Sequence, residues 1–314
     1  MKKRTLMLHI GATKTGSSAL QATLYANREM LKRKGILYPE TGVASGAHHN
    51  LFSAIHPSAW KMHGFSGDDD RTSAFHNMAA EINTQFKRDD FEKLILTSEY
   101  LWGVFQDGVY RTFLESFEDY NIEIVAAVRR VDYWAEANYI QAAKGGLVCE
   151  FKEWVDKFSR TPVAGYDFNK VISGWSESLK SKNVHIVPYE PRNAKTFLSN
   201  ISTVLLGRHV SQEIPAPDSR KDNPSPTKEG IELIQDLYRS EMDETERKKK
   251  IAHIIQTHRR APGENAIYFM SEKCRIDILR RSVPSNREIV EKYLPDQKYL
   301  FNEPWPQEVR LRTH

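Results

Sequence analysis

Cysteine is scarce in this chain of 314 residues: only Cys149 and Cys274 occur. Two cysteines cannot build the disulfide framework of a secreted scaffold, and they suit a reducing compartment. Long apolar runs are also missing. No stretch reaches the roughly 20 apolar residues that span a bilayer. Lys2, Lys3 and Arg4 precede a short apolar run, which has the outline of a signal peptide. That run is too short, and a glycine loop carrying Lys14 cuts it off, so the chain reads as cytoplasmic. A strong excess of one charge is absent as well. There are 45 Lys and Arg against 41 Asp and Glu, a formal net charge of +4. This mild surplus suits an anionic cofactor or an acidic glycan and gives no ground for nucleic acid. The basic run at residues 247–250 lies among Glu241, Asp243, Glu244 and Glu246, as on a solvated helix face. No spacing of His, Cys, Asp and Glu reads as a metal site, and there is no internal repeat or low-complexity tract.

What is present is an alternation of apolar strands and helices. Residues 5–10, 93–98, 122–128 and 183–188 are breaker-poor runs of the buried, parallel-sheet type, and 35–39 is a shorter one stopped by Pro39. Helices are expected over 17–34 (capped by serine, ended by Gly35), 51–62, 73–86, 109–117, 132–144 (capped by Asp132) and 167–179. From residue 194 onward the pattern is almost all helix, at 227–240, 243–259, 265–282 and 286–294. Residues 212–226, rich in proline, aspartate and serine, read as a long loop. The expected fold is therefore α/β, a three-layer sandwich around a parallel sheet with a helical C-terminal cap. Residues 1–210 would form the sheet core. Residues 211–314 would pack on it as an extension within one structural domain.

The densest chemistry lies at the end of the first strand. Gly11-Ala12-Thr13-Lys14-Thr15-Gly16-Ser17-Ser18 runs directly into a helical pattern. Strand, glycine-bounded loop and helix together aim backbone N–H groups and a helix N-terminus at one anion. A nucleotide-hydrolase P-loop carries its lysine after the second glycine. Here the glycines keep that spacing, but Lys14 sits inside the loop and Ser17 follows Gly16. Two further strand ends are polar: Thr97-Ser98-Glu99, and Arg129-Arg130 leading into VDYWAEANYIQAAK. In a parallel sheet, ligands bind beyond the carboxyl ends of the strands.

The loop, as GxxKTG[ST][ST], resembles the 5′-phosphosulfate loop of sulfotransferases that use 3′-phosphoadenosine 5′-phosphosulfate (PAPS). Arg129 and the helix after it resemble the 3′-phosphate motif, close to RRxDxxxESxYxQxxK in bacterial members. Arg129, Arg130, Asp132, Glu136, Tyr139, Gln141 and Lys144 stand in its places, while Ala137 takes the place of the serine. The resemblance extends over LQATLYANREMLKRKGILYP, His48-His49-Asn50-Leu51, residues 96–99, Tyr166-Asp167 through Trp175, residues 184–190, Asn223-Pro224-Ser225, and Ser285-Asn286-Arg287 with Phe301.

That resemblance implies sulfuryl transfer from PAPS to an acceptor hydroxyl on a saccharide or glycolipid, leaving 3′,5′-bisphosphoadenosine (PAP), with no metal required. Gly11, Thr13, Lys14, Thr15, Gly16, Ser17 and Ser18 would hold the 5′ end. Arg129 would read the 3′-phosphate, with Asn138 a candidate replacement for the missing hydroxyl. Lys14 would take up charge on the leaving phosphate. The acceptor's proton needs a base, and His49, His48 and Glu99 are the candidates, with Glu40 behind them. Two other classes remain open from the residues. One is a P-loop kinase or nucleotidase, disfavoured by the lysine position and by the lack of a Walker-B aspartate. The other is a sulfotransferase-like binder of glycans or partners that has lost activity. Neither the acceptor nor the oligomeric state is legible.

Overall fold

The structure is a computed structural model that describes residues 4–63, 65, 67–103, 105–158, 167–190, 194–215, 225–260 and 267–302. Tyr166, Asn223 and Pro224 lie outside the described residues, as does most of the long loop expected at 212–226. Five strands, β1 (Thr5–His9), β2 (Ile36–Leu37), β3 (Lys93–Thr97), β4 (Asn121–Arg129) and β5 (Asn183–Tyr189), form one sheet in the order β2-β3-β1-β4-β5. All neighbours run parallel, with His9 in register with Thr97 on one side and Val125 on the other. The carboxyl ends of β3, β1 and β4 therefore stand side by side.

Helices cover both faces, as the expected α/β sandwich requires. They are α1 (Ser17–Ala26), α2 (Arg28–Arg33), α3 (His49–Ser53), α4 (Asp68–Arg88), α5 (Asp107–Phe117), α6 (Val131–Lys144), α7 (Phe151–Phe158), α8 (Phe168–Ser178), α9 (Ala194–Leu206), α10 (Arg208–Glu213), α11 (Lys228–Arg239), α12 (Glu244–Thr257) and α13 (Glu272–Tyr293). Strand alternation divides the core in two. Leu6, Leu8, Leu94, Leu96, Ile124 and Val128 face Phe75, Phe113 and Trp175 of α4, α5 and α8. Met7, Ile95, Val125 and Ala127 face Leu20 and Leu24 of α1 and Phe197 and Ile201 of α9. A third cluster joins Ile140 and Ala143 of α6 to Ile231, Ile234 and Ile251 of α11 and α12. Among the described residues, no helix is long and apolar enough to cross a membrane.

Several local expectations need correction. The helix over 17–34 is broken at Asn27, whose side chain donates to the Thr23 carbonyl (2.8 Å) and competes with the ladder. Its N-cap is not a serine but Gly16 in the left-handed region (φ 79°), and no side chain caps the first turn. Asp132 lies inside α6 and does not cap it, because its carboxylate is taken by two arginines. The helices expected at 265–282 and 286–294 form one helix that continues through Pro284. Ile278, Leu279, Ser282, Ser285, Asn286 and Ile289 are buried at unbroken helical spacing, so packing outweighs the lost proline donor. The short α7, held by buried Phe151 and Val155, was not anticipated.

Candidate functional site

The loop after β1 is pinned from below. The amides of Ile10 and Ala12 donate to Val125 and Ala127 of β4 (3.0 Å each). Thr15 Oγ1 donates to the Ala12 carbonyl (2.6 Å) and closes the turn. Lys14 (φ 62°) and Gly16 (φ 79°) both adopt left-handed backbone, which curls the chain into a concave nest ahead of α1. Glycine is needed at position 11 for close approach: a Cβ there would lie 2.7 Å from His9 Nε2 and 2.8 Å from Ser17 Oγ. Gly16 packs against Tyr189 and Phe197, which wall the loop on the α9 side. Beyond the turn that Thr15 makes to Ala12, no amide from Lys14 to Ser18 donates to a backbone carbonyl among the described residues. The loop thus carries the two features of an anion cradle, unused donors and the positive end of a helix.

The start of α6 borders the loop on its other side. Arg129, the last residue of β4, donates from Nη1 to the Lys14 carbonyl (2.8 Å), and its guanidinium lies 5.2 Å from the Tyr189 ring centre. Asn138 accepts from Thr13 Oγ1 (2.8 Å) and donates to the Trp134 carbonyl (2.8 Å). It therefore orients the loop. Lys14 Nζ donates to Gln141 Oε1 (2.7 Å). Burial, then Lys144, then Arg129 lower the Lys14 pKa, and only Glu99 opposes them. Lys144 and Arg129 thus add positive charge around Lys14, and Glu99 is the carboxylate that offsets it.

That carboxylate stands just past β3. Burial raises the Glu99 pKa, against the opposing influence of Lys14 and the Ser17 hydroxyl. Ser17, almost fully buried, also meets Thr15 Oγ1 at 3.1 Å. Ser18 is exposed in the first turn of α1. One residue before Glu99, Ser98 Oγ bonds His49 Nδ1 (2.9 Å), and the His49 ring lies 4.7 Å from that of Tyr100. His49 is half-buried.

His48 is placed differently. It is fully buried, its Nδ1 accepts from the Thr97 amide (3.1 Å) and its Nε2 bonds the Pro39 carbonyl (3.1 Å). Burial lowers its pKa to about 4. Both nitrogens are committed to backbone, so His48 locks the α3 entry to β3 and has no nitrogen left for a substrate proton. Glu40 is also away from the site, on the surface and paired with Arg28.

Four contributors were not singled out from sequence as site residues. Gln141 and Lys144 were read only as motif letters, although Asn138, Gln141 and Lys144 share one helical stripe. Tyr189 had no signal beyond its place at a strand end. His9 is fully buried, with no partner for either ring nitrogen among the described residues, and burial lowers its pKa to about 4. Its position, two residues before Gly11 on the same strand face, was a usable signal. Among the described residues, no cluster of three His, Cys, Asp or Glu is placed to hold a metal ion.

The comparisons with known proteins come from structure alone. No family model matches the chain, and no curated protein does. A solved sulfotransferase from Alicyclobacillus acidocaldarius is similar over 82% of this chain and 97% of that one, at 14% identity and a TM-score of 0.43. A structure from the PezAT chromosomal toxin-antitoxin system of Streptococcus pneumoniae is similar over 82% of this chain and 86% of that one, at 11% identity and a TM-score of 0.31.

Proposed function

We propose that the protein is a sulfotransferase that moves a sulfuryl group from PAPS to an acceptor hydroxyl on a saccharide or glycoconjugate. The observation that carries this reading is the loop itself, where Lys14 stands two residues before the uncapped N-terminus of α1 and Arg129 reaches its carbonyl (2.8 Å). A ligand with anionic groups at two ends suits that set better than a single monoanion. The donor supplies an activated sulfuryl group and leaves as the bisphosphate PAP.

The chain's own residues then have separate tasks. Lys14 and the N-terminal amides of α1 stabilise charge that grows on the leaving 5′-phosphate. Arg129, at the end of β4, stands where a second phosphate can be read and braces the Lys14 carbonyl. Thr13 and Thr15 fix the loop's curvature through Asn138 and Ala12. The acceptor's proton goes to His49, at the start of α3, or to Glu99, just past β3.

Titration calorimetry with PAP, adenosine 5′-phosphosulfate and magnesium ATP tests the reading. PAP should bind and raise the melting temperature by mass action, and adenosine 5′-phosphosulfate, which lacks the 3′-phosphate, should bind worse. Preferential binding and turnover of magnesium ATP would replace this reading with a kinase or nucleotidase. Binding of a glycan but of no nucleotide would replace it with a glycan-binding protein.

A further inference from the structure

His48 and His49 both lie against the end of β3, and what their partners can donate or accept places their protons. His48 is the simple case. The Thr97 amide can only donate, so Nδ1 of His48 accepts (3.1 Å). The Pro39 carbonyl can only accept, so Nε2 donates (3.1 Å). His48 is therefore fixed as the tautomer with its proton on Nε2. His49, the first residue of α3, has Nδ1 2.9 Å from Ser98 Oγ, a pair in which the distance alone leaves the donor open. The other contact of Ser98 settles it.

Ser98 directly follows β3 and is fully buried. Its hydroxyl accepts from the Tyr100 amide (3.2 Å) and so caps the single helical turn Glu99–Leu101. Among the described residues, that amide and His49 Nδ1 are the hydrogen-bond partners of the oxygen. The amide has no lone pair to offer. If Nδ1 of His49 carried a proton, Ser98 would accept twice, and its own proton would face no acceptor in a place closed to water. With Nδ1 unprotonated all three groups are satisfied: the amide donates to the hydroxyl, and the hydroxyl donates to Nδ1. The Tyr100 ring, centred 4.7 Å from that of His49, packs the imidazole against the same turn.

We propose that Ser98 is a positioning residue whose hydroxyl fixes neutral His49 as the Nε2–H tautomer, so that His49 serves the site as a hydrogen-bond donor and the acceptor's proton goes to Glu99. The one lone pair of the imidazole is spent on Ser98, and the remaining nitrogen can only donate. One hydroxyl thereby sets the state of one candidate base and the place of the other, since it caps the turn that carries Glu99. In the transfer step the acceptor O–H bond breaks and a Glu99 O–H bond forms. The acceptor oxygen bonds sulfur as the bond from sulfur to the 5′-phosphate oxygen breaks, and that electron pair leaves with the phosphate. The choice of Glu99 rests on the sulfuryl-transfer reading above, whereas the tautomer of His49 does not.

The test is proton–nitrogen correlation NMR on protein carrying isotope-labelled histidine, at roughly pH 8.5, some two units above the ordinary histidine pKa. The His49 signals are assigned by their loss in His49→Gln, and His48 is an internal reference for the Nε2–H form. In the wild type, Nδ1 of His49 should resonate as an unprotonated nitrogen and Nε2 as a protonated one. The other tautomer should be rarer by about tenfold or more, as an unsatisfied buried hydroxyl implies. Ser98→Ala should raise the share of the other tautomer several-fold. Ser98→Thr keeps the hydroxyl on extended backbone that suits threonine, and it should restore the wild-type ratio. A wild-type His49 protonated on Nδ1, or an unchanged ratio in Ser98→Ala, overturns the proposal. If Ser98→Ala does not fold, the wild type decides alone: coupling of the Ser98 hydroxyl proton to Nδ1 supports the proposal, and a proton bonded to Nδ1 overturns it. The spectra need no ligand. A wild type in the Nε2–H form that binds no PAP in calorimetry removes the sulfuryl-transfer reading, and Glu99 as its base, while the Ser98–His49 assignment stands.

Discussion

The two faces of α6 are built on different principles, although one sequence motif runs through both. Asn138 and Gln141 lie on the stripe that meets the loop, where Asn138 holds Thr13 and Gln141 holds Lys14. Asp132, Glu136, Tyr139 and Ala143 lie on the stripe that meets the C-terminal helices. Asp132 is bound bidentately by Nε and Nη2 of Arg130 and by Arg275 of α13. Glu136 accepts from the Tyr268 amide (2.8 Å) and faces Arg260 at 3.6 Å. Tyr139 donates to the Cys149 carbonyl (2.7 Å). The buried acids of the motif are therefore anchors for the C-terminal region, and the short polar side chains are the ones at the site. Burial explains the division: a charge out of water must be matched by another charge, whereas the loop needs groups that can exchange partners with a ligand.

Cutting the anchor face should have the largest effect. Asp132→Ala leaves Arg130, which is 3% exposed, without its carboxylate. A loss of about 3–5 kcal/mol is expected, read as a drop in the denaturant midpoint. The folded fraction should still bind PAP, because Asp132 faces away from the loop. A variant of normal stability that has lost PAP binding would erase the contrast between the faces.

Cutting the site face should give the opposite signature. Lys14 Nζ donates to Gln141, and its attraction to Glu99 is offset by repulsion from Lys144 and Arg129, so Lys14→Ala should change the melting temperature little. Transfer to any acceptor should fall a few hundredfold or more, since losing such a contact costs about 3–4 kcal/mol of barrier. Turnover near that of the wild type would refute the role.

A third effect, smaller and dependent on pH, belongs to the anchor face. Burial lifts the Glu136 pKa from 4.5 to about 7, against the pull of the Phe269 amide and Arg260. A carboxyl whose folded pKa is raised stabilises the fold fully below the unfolded value, and that contribution is lost as pH rises through the folded value. Stability should therefore decline between pH 5 and pH 8 by roughly 1–3 kcal/mol from this group. Glu136→Gln keeps an acceptor for the two amides and should flatten that part of the profile. An identical slope in variant and wild type would show that Glu136 is not its source.

The contrast between the faces also shows what a sequence can reveal. Strands 5–9, 93–97, 121–129 and 183–189 were legible because buried parallel strands are unbroken apolar runs. The loop was legible because its glycines and Lys14 are contiguous. His48 and His49, by contrast, are neighbours with separate surroundings. One is sealed against Pro39 and Thr97 and the other lies beside Ser98, a difference set by tertiary contacts that adjacency does not encode. Asp132 looked like a helix cap because its partner Arg275 is 143 positions away. Pro284 looked like a break because the proline rule is local, whereas the burial that overrides it comes from other elements.

The smallest change expected is on the site face, at the motif's one departure. Ala137 is half-buried and sits one turn before Gln141, which touches Lys14, so it borders the loop-facing stripe. Asn138 stands next to that position but holds Thr13 and the Trp134 carbonyl, which fixes its side chain beside the loop. Ala137→Ser adds one small donor and little volume. PAP binding should tighten by ~0.5–2 kcal/mol, a few-fold to about thirtyfold, with acceptor affinity unchanged because the acceptor approaches from the sulfuryl end. Calorimetry on the variant decides it. Unchanged or weaker PAP binding would mean that position 137 does not reach the 3′-phosphate, and the site face would then end at Asn138 and Gln141.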